Sequence, residues 1–362
     1  MTQAARAKPR ARDLGIPFEG RPGELNAITD VAGVEVGLAT LIEGDAVRTG
    51  VTAILPRGKR SGDPVFAGWF SLNGNGEMTG TAWIDEAGFL EGPVLITNTH
   101  SVGTVRDASI RWALERGQRV QPWALPVVAE TYDGGLNDID GFHVKPEHVF
   151  AALDDARSGP VPEGNVGGGT GMRCYGFKGG TGTASRKVGE GSNEFTVGVL
   201  VQANHGLQRL LRIAGLPVGL ELEAEDESRR RSAQALSKSI IIVVATDAPL
   251  LPHQLKRVAK RASLGLARSG AISAHTSGDI FIAFSTANPE AASAKDRAQV
   301  DMLSNERITA LFEATIQATD EAIVNALIAA ETMTGFKGAT VSAIPHDRVV
   351  EILARHGQLQ DG

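Results

Sequence analysis

Residues 239–246, "SIIIVVAT", limit the fold more than any other stretch of this chain. From Ile240 to Val244 every side chain is apolar and β-branched, which favours a strand over a helix. A run so short and so continuous reads as a strand buried on both faces, not one with a wet side. It follows the charged stretch "ELEAEDESRRRSAQ", which reads as solvated loop, and Ser239 stands at the first step from one into the other.

Further apolar, β-branched-rich runs predict strands at 51–55, 65–72, 94–97, 195–202 and 280–286. Helical spacing marks 105–117, stopping at Gly117, and 146–156, where Pro146 suits the first turn. After Pro252, residues Leu255, Val258, Ala259, Ala262 and Leu266 share one helical face. Two more helices are expected across 304–334 and a last one over 346–357. Glycine is plentiful at 43 residues and aromatics are few at 5%, which suits tight turns between short strands. Strands and helices cluster instead of alternating, so the expected class is α+β. With 362 residues and 42% hydrophobic content the chain can bury a substantial core. Residues 221–238 are the one conspicuous break, either a flexible connection or, over "SRRRSAQALS", a short surface helix.

Composition removes several function classes. A net charge of −6 argues against a nucleic-acid partner, and the basic run Arg229–Arg231 follows a cluster of acids. Cys174 is the single cysteine, so neither an internal disulfide nor a cysteine-rich metal site is expected. The basic N-terminus leads into no apolar stretch, and no run of about 18 apolar residues exists, so neither a secretory signal nor a membrane span is expected. The expectation is a cytoplasmic protein.

Common catalytic signatures fail. The nearest approach to G-x-S-x-G is "THSVG" at 99–103, with Thr99 in the first glycine's place. His143 and His148 straddle Pro146 without forming H-E-x-x-H, and ordinary surface histidines are the better reading. "GGGTGMRCYGFKGGTGTAS" at 167–185 fits neither common phosphate-loop pattern and reads instead as a tightly turned hairpin near a site.

Ser239 offers a different chemistry. A serine hydroxyl is a poor nucleophile unless a neighbour takes its proton. As the first residue of a chain it would carry its own base, because an α-amine titrates near pH 8, roughly. Creating that terminus requires Ser239 Oγ to attack the Lys238 carbonyl, an acyl shift from nitrogen to oxygen, and hydrolysis of the ester. A mobile segment before the serine and a rigid strand after it suit that route. Position alone favours an ordinary strand-edge serine bonded to backbone.

The surrounding sequence tips the balance. "SIIIVVATDAPLLPHQLKRVAKRA" closely resembles the start of the small chain in the self-processing aminopeptidases of the DmpA/BapA type, the P1 peptidase family of L-aminopeptidase/D-esterase-amidases and β-aminopeptidases. "NAITDVAGVEVG", "TNTHSVGTVRDA", "LPVVAETYDGGLND", "GGGTGMRCYGFKGGTGTASR", "VGVLVQANHG" and "TSGDIFIAFSTAN" resemble family motifs in family order, so the likeness spans nearly the whole chain. It implies a four-layer αββα sandwich in one domain, processed between Lys238 and Ser239 into chains 1–238 and 239–362.

It also implies roles. Ser239 matches the nucleophile; Ser277 and Asp279 match a serine and an acid that support it. Asn204 matches the oxyanion-stabilising asparagine, Tyr132 a pocket residue able to bond the reacting carbonyl, and Glu130 a carboxylate able to hold the substrate's ammonium. Trp123 matches a pocket-lining aromatic, with ordinary core packing as an equal alternative. Lys238 stands where relatives often carry a small or amide residue, and Asp279 where a longer glutamate is found. The implied activity needs no cofactor, removes the N-terminal residue from small peptides, amides or esters, and belongs to a homo-oligomer, a tetramer of chain pairs.

Two alternatives stay open. An ornithine acetyltransferase-like acyltransferase shares such an architecture, although its new terminus is a threonine. An uncut, non-catalytic binding or scaffold protein is the other.

Overall fold

The computed structural model describes residues 8–119, 121–224, 239–293 and 296–360. Its core is a six-stranded sheet with the order β4-β3-β12-β11-β10-β9. These are β4 (Phe89–Leu90), β3 (Val65–Gly74), β12 (Gly278–Ser285), β11 (Ile240–Thr246), β10 (Phe195–Ala203) and β9 (Gly180–Val188). A second sheet has the order β1-β2-β5-β6, built from β1 (Glu35–Glu43), β2 (Val47–Leu55), β5 (Val94–Asn98) and β6 (Val127–Thr131). All the expected strands are present.

The side-chain alternation of β11 shows how the layers stack. Ile240, Ile242 and Val244 pack with Leu255, Val258, Ala322 and Val324, the faces of helices α5 (Pro252–Arg268) and α6 (Thr309–Ile328). Ile241, Val243 and Ala245 point the other way and pack against Ile54, Val94, Ile96 and Ala129 of the second sheet. The far face of that sheet, through Val51, Ala53, Leu95 and Val128, meets α2 (Val102–Glu115) and α3 (Pro146–Asp155). Three apolar seams therefore separate four layers, helix, sheet, sheet, helix: the αββα arrangement that the resemblance implied. Strand β11 is buried on both faces because one is roofed by helices and the other by a sheet.

Close approach of the layers requires small residues. A Cβ on Gly182 of β9 would lie 2.1 Å from the Ala322 carbonyl oxygen of α6. Helix boundaries follow the expected signals: Pro146 and Pro252 open α3 and α5, and Gly117 follows α2 with φ 64°. The expected pair of helices over 304–334 is instead a single helix, α6, of 20 residues. It is buried nearly all round, so its sequence carries no polar stripe to mark a break.

Helix α1 (Thr81–Ala87) links β3 to β4, and α4 (Val218–Ala224) takes up the first residues of the expected connection 221–238. Residues 225–238, including Lys238, lie outside the described residues. The glycine-rich stretch holds a hairpin of β7 (Arg173–Cys174) and β8 (Phe177–Lys178), turning through Tyr175 and Gly176 with φ 51° and 78°. Gly167–Gly169 are buried, so their backbone is not an open cradle. His143 Nε2 lies 3.3 Å from Asp138, and His148 Nδ1 accepts the Lys145 N–H. A final helix, α7 (His346–Arg355), packs on the α5–α6 side. No described helix is long and apolar enough to cross a membrane.

Candidate active site

Strand register assembles the site. In the large sheet, Ala203 pairs with Ile240 and Ile240 pairs with Asp279. The start of β11 is thus flanked by the end of β10, where Asn204 follows, and by the start of β12, where Ser277 precedes. Asn204 N–H donates to the Ser239 carbonyl at 3.2 Å, and Gly278 N–H donates to Ser239 Oγ at 3.3 Å. Gly278 must be glycine, since a Cβ there would lie 2.5 Å from the Asn75 carbonyl oxygen. Ser239 is 4% exposed, a hydroxyl held at the edge of the core.

Ser277 Oγ donates to Asp279 Oδ1 at 2.6 Å. Burial pushes the Asp279 carboxyl above its ordinary value, and the Ser277 hydroxyl pulls it back only in part. Asn204 is oriented from both ends. Its Oδ1 accepts the Arg173 N–H at 2.8 Å, and its Nδ2 donates to the Tyr132 carbonyl at 2.8 Å. Because an N–H fixes Oδ1, the amide is oriented unambiguously and Nδ2 keeps a second hydrogen free for another acceptor.

The second sheet supplies the opposite wall. Thr97 pairs with Glu130 and Asn98 with Thr131 in the parallel pair β5–β6, so Thr99, Glu130 and Tyr132 emerge from one end. Glu130 is 3% exposed, with Oε1 accepting the Glu77 N–H at 3.0 Å and Oε2 accepting the Thr99 hydroxyl. Burial raises the Glu130 carboxyl, while those two donors favour its ionised form and offset part of the rise. Tyr132 is 55% exposed, its ring lying over Gly134.

Between these walls lies a cleft of about 520 Å³, lined among others by Gly76, Glu77, Thr99, Glu130, Tyr132 and Ser239. The structure therefore gathers Ser239, Glu130 and Tyr132 around one opening, with Asn204, Ser277 and Asp279 behind it. Trp123 is not among them. It lies in a separate groove beside Pro93, Ala113 and Arg119, 57% exposed. Trp123 precedes the start of β6, whereas the cleft lies at that strand's far end.

Thr99, Glu77 and Gly278 were missed as site residues. Thr99 stood in plain sight inside "TNTHSVG", but its importance comes from the Glu130 oxygen across two strands. Glu77 and Gly278 act through backbone N–H groups, which leave no mark in sequence.

Comparisons with known proteins place the fold among its relatives. The family model described as Peptidase family S58 matches residues 26–341. The beta-peptidyl aminopeptidase BapA of Sphingosinicella microcystinivorans is 55% identical, the match covering 97% of this chain and 93% of that protein. The L-aminopeptidase D-Ala-esterase/amidase of Ochrobactrum anthropi, described as a prototype serine aminopeptidase with a variant Ntn hydrolase fold, superposes with a TM-score of 0.91 at 50% identity, covering 98% of this chain and 100% of that one. A Burkholderia sp. beta-aminopeptidase gives 0.89 at 49% identity, over 96% and 99% of the two chains. The matched region reaches from the β1 segment to β14 (Thr340–Val341) and includes every residue of the cleft, so the chain belongs to peptidase family S58.

Proposed function

We propose that this aminopeptidase cuts itself between Lys238 and Ser239 and then uses the Ser239 hydroxyl as its nucleophile. One observation carries the reading: Ser239 and the buried Glu130 carboxylate open into the same cleft. A carboxylate held by two donors suits a fixed ammonium, and a hydroxyl one cleft-width away suits the acyl carbon attached to it.

In this reading Glu130 anchors the free amino group of the substrate. The new α-amine of Ser239 takes the proton from its own Oγ as Oγ adds to the carbonyl. Asn204 Nδ2 supports the negative charge that develops on the carbonyl oxygen, with the Tyr132 hydroxyl at the mouth. Ser277 and Asp279 steady the protonated amine until it passes the proton to the leaving group. Water then hydrolyses the ester on Ser239, and no cofactor enters any step. Removal of N-terminal β-aminoacyl as well as α-aminoacyl groups is proposed, by likeness to the relatives. The chain pairs 1–238 and 239–362 are proposed to stay together, as a homo-oligomer working in the cytoplasm on small peptides, amides and esters. Nothing in the relatives' names favours the acyltransferase or scaffold alternative.

Denaturing mass spectrometry of purified protein tests the reading. Two fragments meeting between 238 and 239 are expected, and one intact chain in Ser239→Ala. A fully active preparation made of unbroken chains would overturn it.

A further inference from the structure

Behind the catalytic carboxylate lies a second, much smaller cavity of about 20 Å³. Its walls are mostly apolar, with Leu207, Leu210, Leu266 and Ile272 among them, and its polar lining comes from His205, Ser273, Ser277 and Asp279. Two atoms of those residues stand out. Asp279 Oδ2 and His205 Nε2 are both buried and have no hydrogen-bond partner among the described residues. The two residues are only 1% and 3% exposed, so bulk solvent does not serve them.

Unpaired buried polar atoms are costly, above all on a carboxylate, and native proteins rarely keep them. A cavity holds one water once it offers about 10–15 Å³ and two or more polar partners. This cavity meets both conditions and is too small for a larger ligand. The histidine is also set up for the task. Burial lowers the His205 imidazole to about 3, so the ring is neutral. Its Nδ1 lies 3.8 Å from Cys174 Sγ, and burial raises that thiol to about 12. A protonated thiol donating to Nδ1 leaves the ring hydrogen on Nε2, the nitrogen without a partner among the described residues.

We propose that this cavity is the seat of a single water molecule that bridges His205 Nε2 to Asp279 Oδ2, making His205 a positioning residue for the Ser239 site. The water accepts from Nε2–H and donates to Oδ2, and its second hydrogen can reach Ser277 Oγ. Oδ1 keeps the Ser277 hydroxyl, while the Ser273 hydroxyl and the Ile240 N–H also steady the ionised carboxylate, so the water adds a further hold on its orientation. The reading rests on the assignment of Ser239 and Asp279 to catalysis, but the water itself does not depend on it.

The groups facing Asp279 are few. Ser239, with its new amine once cut, lies on β11, and Tyr175, Cys174 and His205 lie beyond β10. Ser273, on the segment before β12, and the Ile240 N–H bond the carboxylate directly, and Tyr175 lies near enough to feel its charge. Apart from that amine, His205 is the neighbour on this side able to offer the carboxylate a neutral N–H through water.

Crystals of the processed enzyme, diffracting well enough to show ordered water, test the proposal alongside His205→Gln and His205→Leu. A water peak within hydrogen-bonding distance of both atoms is expected in wild type and in His205→Gln, which keeps a donor, and is expected to vanish in His205→Leu. The acidic limb of kcat should move up by about one pH unit in His205→Leu, since the ionised Asp279 loses a donor, and return in His205→Gln, with KM little changed. A dry cavity in the wild-type map, or Asp279 Oδ2 bonded instead to the Ser239 amine, overturns the proposal; that map decides alone should His205→Leu fail to fold. An unmoved acidic limb in a folded His205→Leu overturns the positioning role. Loss of the reading for Ser239 would show differently, as full activity in uncut chains with the water still in place.

Discussion

Replacing Glu130 by glutamine removes one charge and almost nothing else. The amide oxygen can still accept the Glu77 N–H, and the Thr99 hydroxyl can turn to accept from the new NH₂ group, so the wall of the cleft keeps its shape. What disappears is the attraction between a buried carboxylate and the substrate's ammonium. At about 4 Å and an effective dielectric near 20 that attraction is about 4 kcal/mol. Glu130 is buried, but Tyr132 at the mouth is half exposed and water reaches the cleft, so about 2–3 kcal/mol of it should survive as binding. A loss of about 30- to 150-fold in kcat/KM follows.

The assay pairs two substrates. One is an aminoacyl p-nitroanilide with a free ammonium, and the other is its isostere with a hydroxyl in place of that amine. Wild type should prefer the ammonium compound strongly, and Glu130→Gln should abolish most of the preference by slowing the ammonium compound alone. Lowering the pH should imitate the mutation. Burial raises the Glu130 carboxyl, so protonation sets in above the usual carboxylate range and KM climbs as pH falls through it. Equal losses on both substrates, or an unchanged ratio, would refute the assignment of the ammonium to Glu130.

Two other outcomes test the frame around the site. Glu321 is fully buried and bonds Arg12 Nε at 2.7 Å and Arg186 Nη2 at 2.6 Å, so Glu321→Ala leaves the buried Arg186 without its carboxylate and should lower unfolding stability by about 3–5 kcal/mol in denaturant titration. Lys178 is fully buried with its Nζ on the carbonyls of Gly169 and Gly179, and burial lowers it to about 7. The unfolded chain holds that proton up to a higher pH, so wild-type stability should rise between pH 7 and 10. The Tm difference between wild type and Lys178→Met should therefore grow in favour of wild type over that window in scanning calorimetry.

Legibility in the sequence followed the kind of burial. Strand β11 is readable because all its core side chains are apolar, whereas β9, "GTGTASRKV", is buried over its first seven residues and escaped notice. Its core positions are hydroxyls satisfied across the sheet, such as Thr183 Oγ1 donating to the Val199 carbonyl, and no apolar pattern marks such a strand. Strands β1 and β6 were missed for a related reason: β6 is short and its fourth residue is the buried Glu130, which reads as polar surface until its two donors are in view. The residues proposed as nucleophile and supporters, Ser239, Ser277, Asp279 and Asn204, were singled out through motif resemblance. Thr99 and Glu77 were not, because their importance is a contact with a carboxylate far along the chain. Trp123 shows the same limit from the other side: four residues short of β6, it resembles a pocket residue in sequence and lines a different groove of this chain.

Why a cut before Ser239 would create a site instead of a loose end follows from the position of β11. Each of its residues from Ile240 to Thr246 is paired on both sides, antiparallel to β10 and parallel to β12. The side chains of Ile240 through Ala245 are all 0% exposed, shared between a helical layer and a second sheet. Burial at about 1.5–3 kcal/mol for each large aliphatic side chain fixes that strand far more firmly than one peptide bond at its start could. A terminus made there cannot fray as chain ends usually do. The new amine and the hydroxyl beside it stay clamped between Asn204 on one neighbouring strand and the Ser277–Asp279 pair on the other, with the Gly278 N–H still directed at Oγ. At an edge strand the same serine would gain a base and lose its place, so the chemistry requires the centre of the sheet.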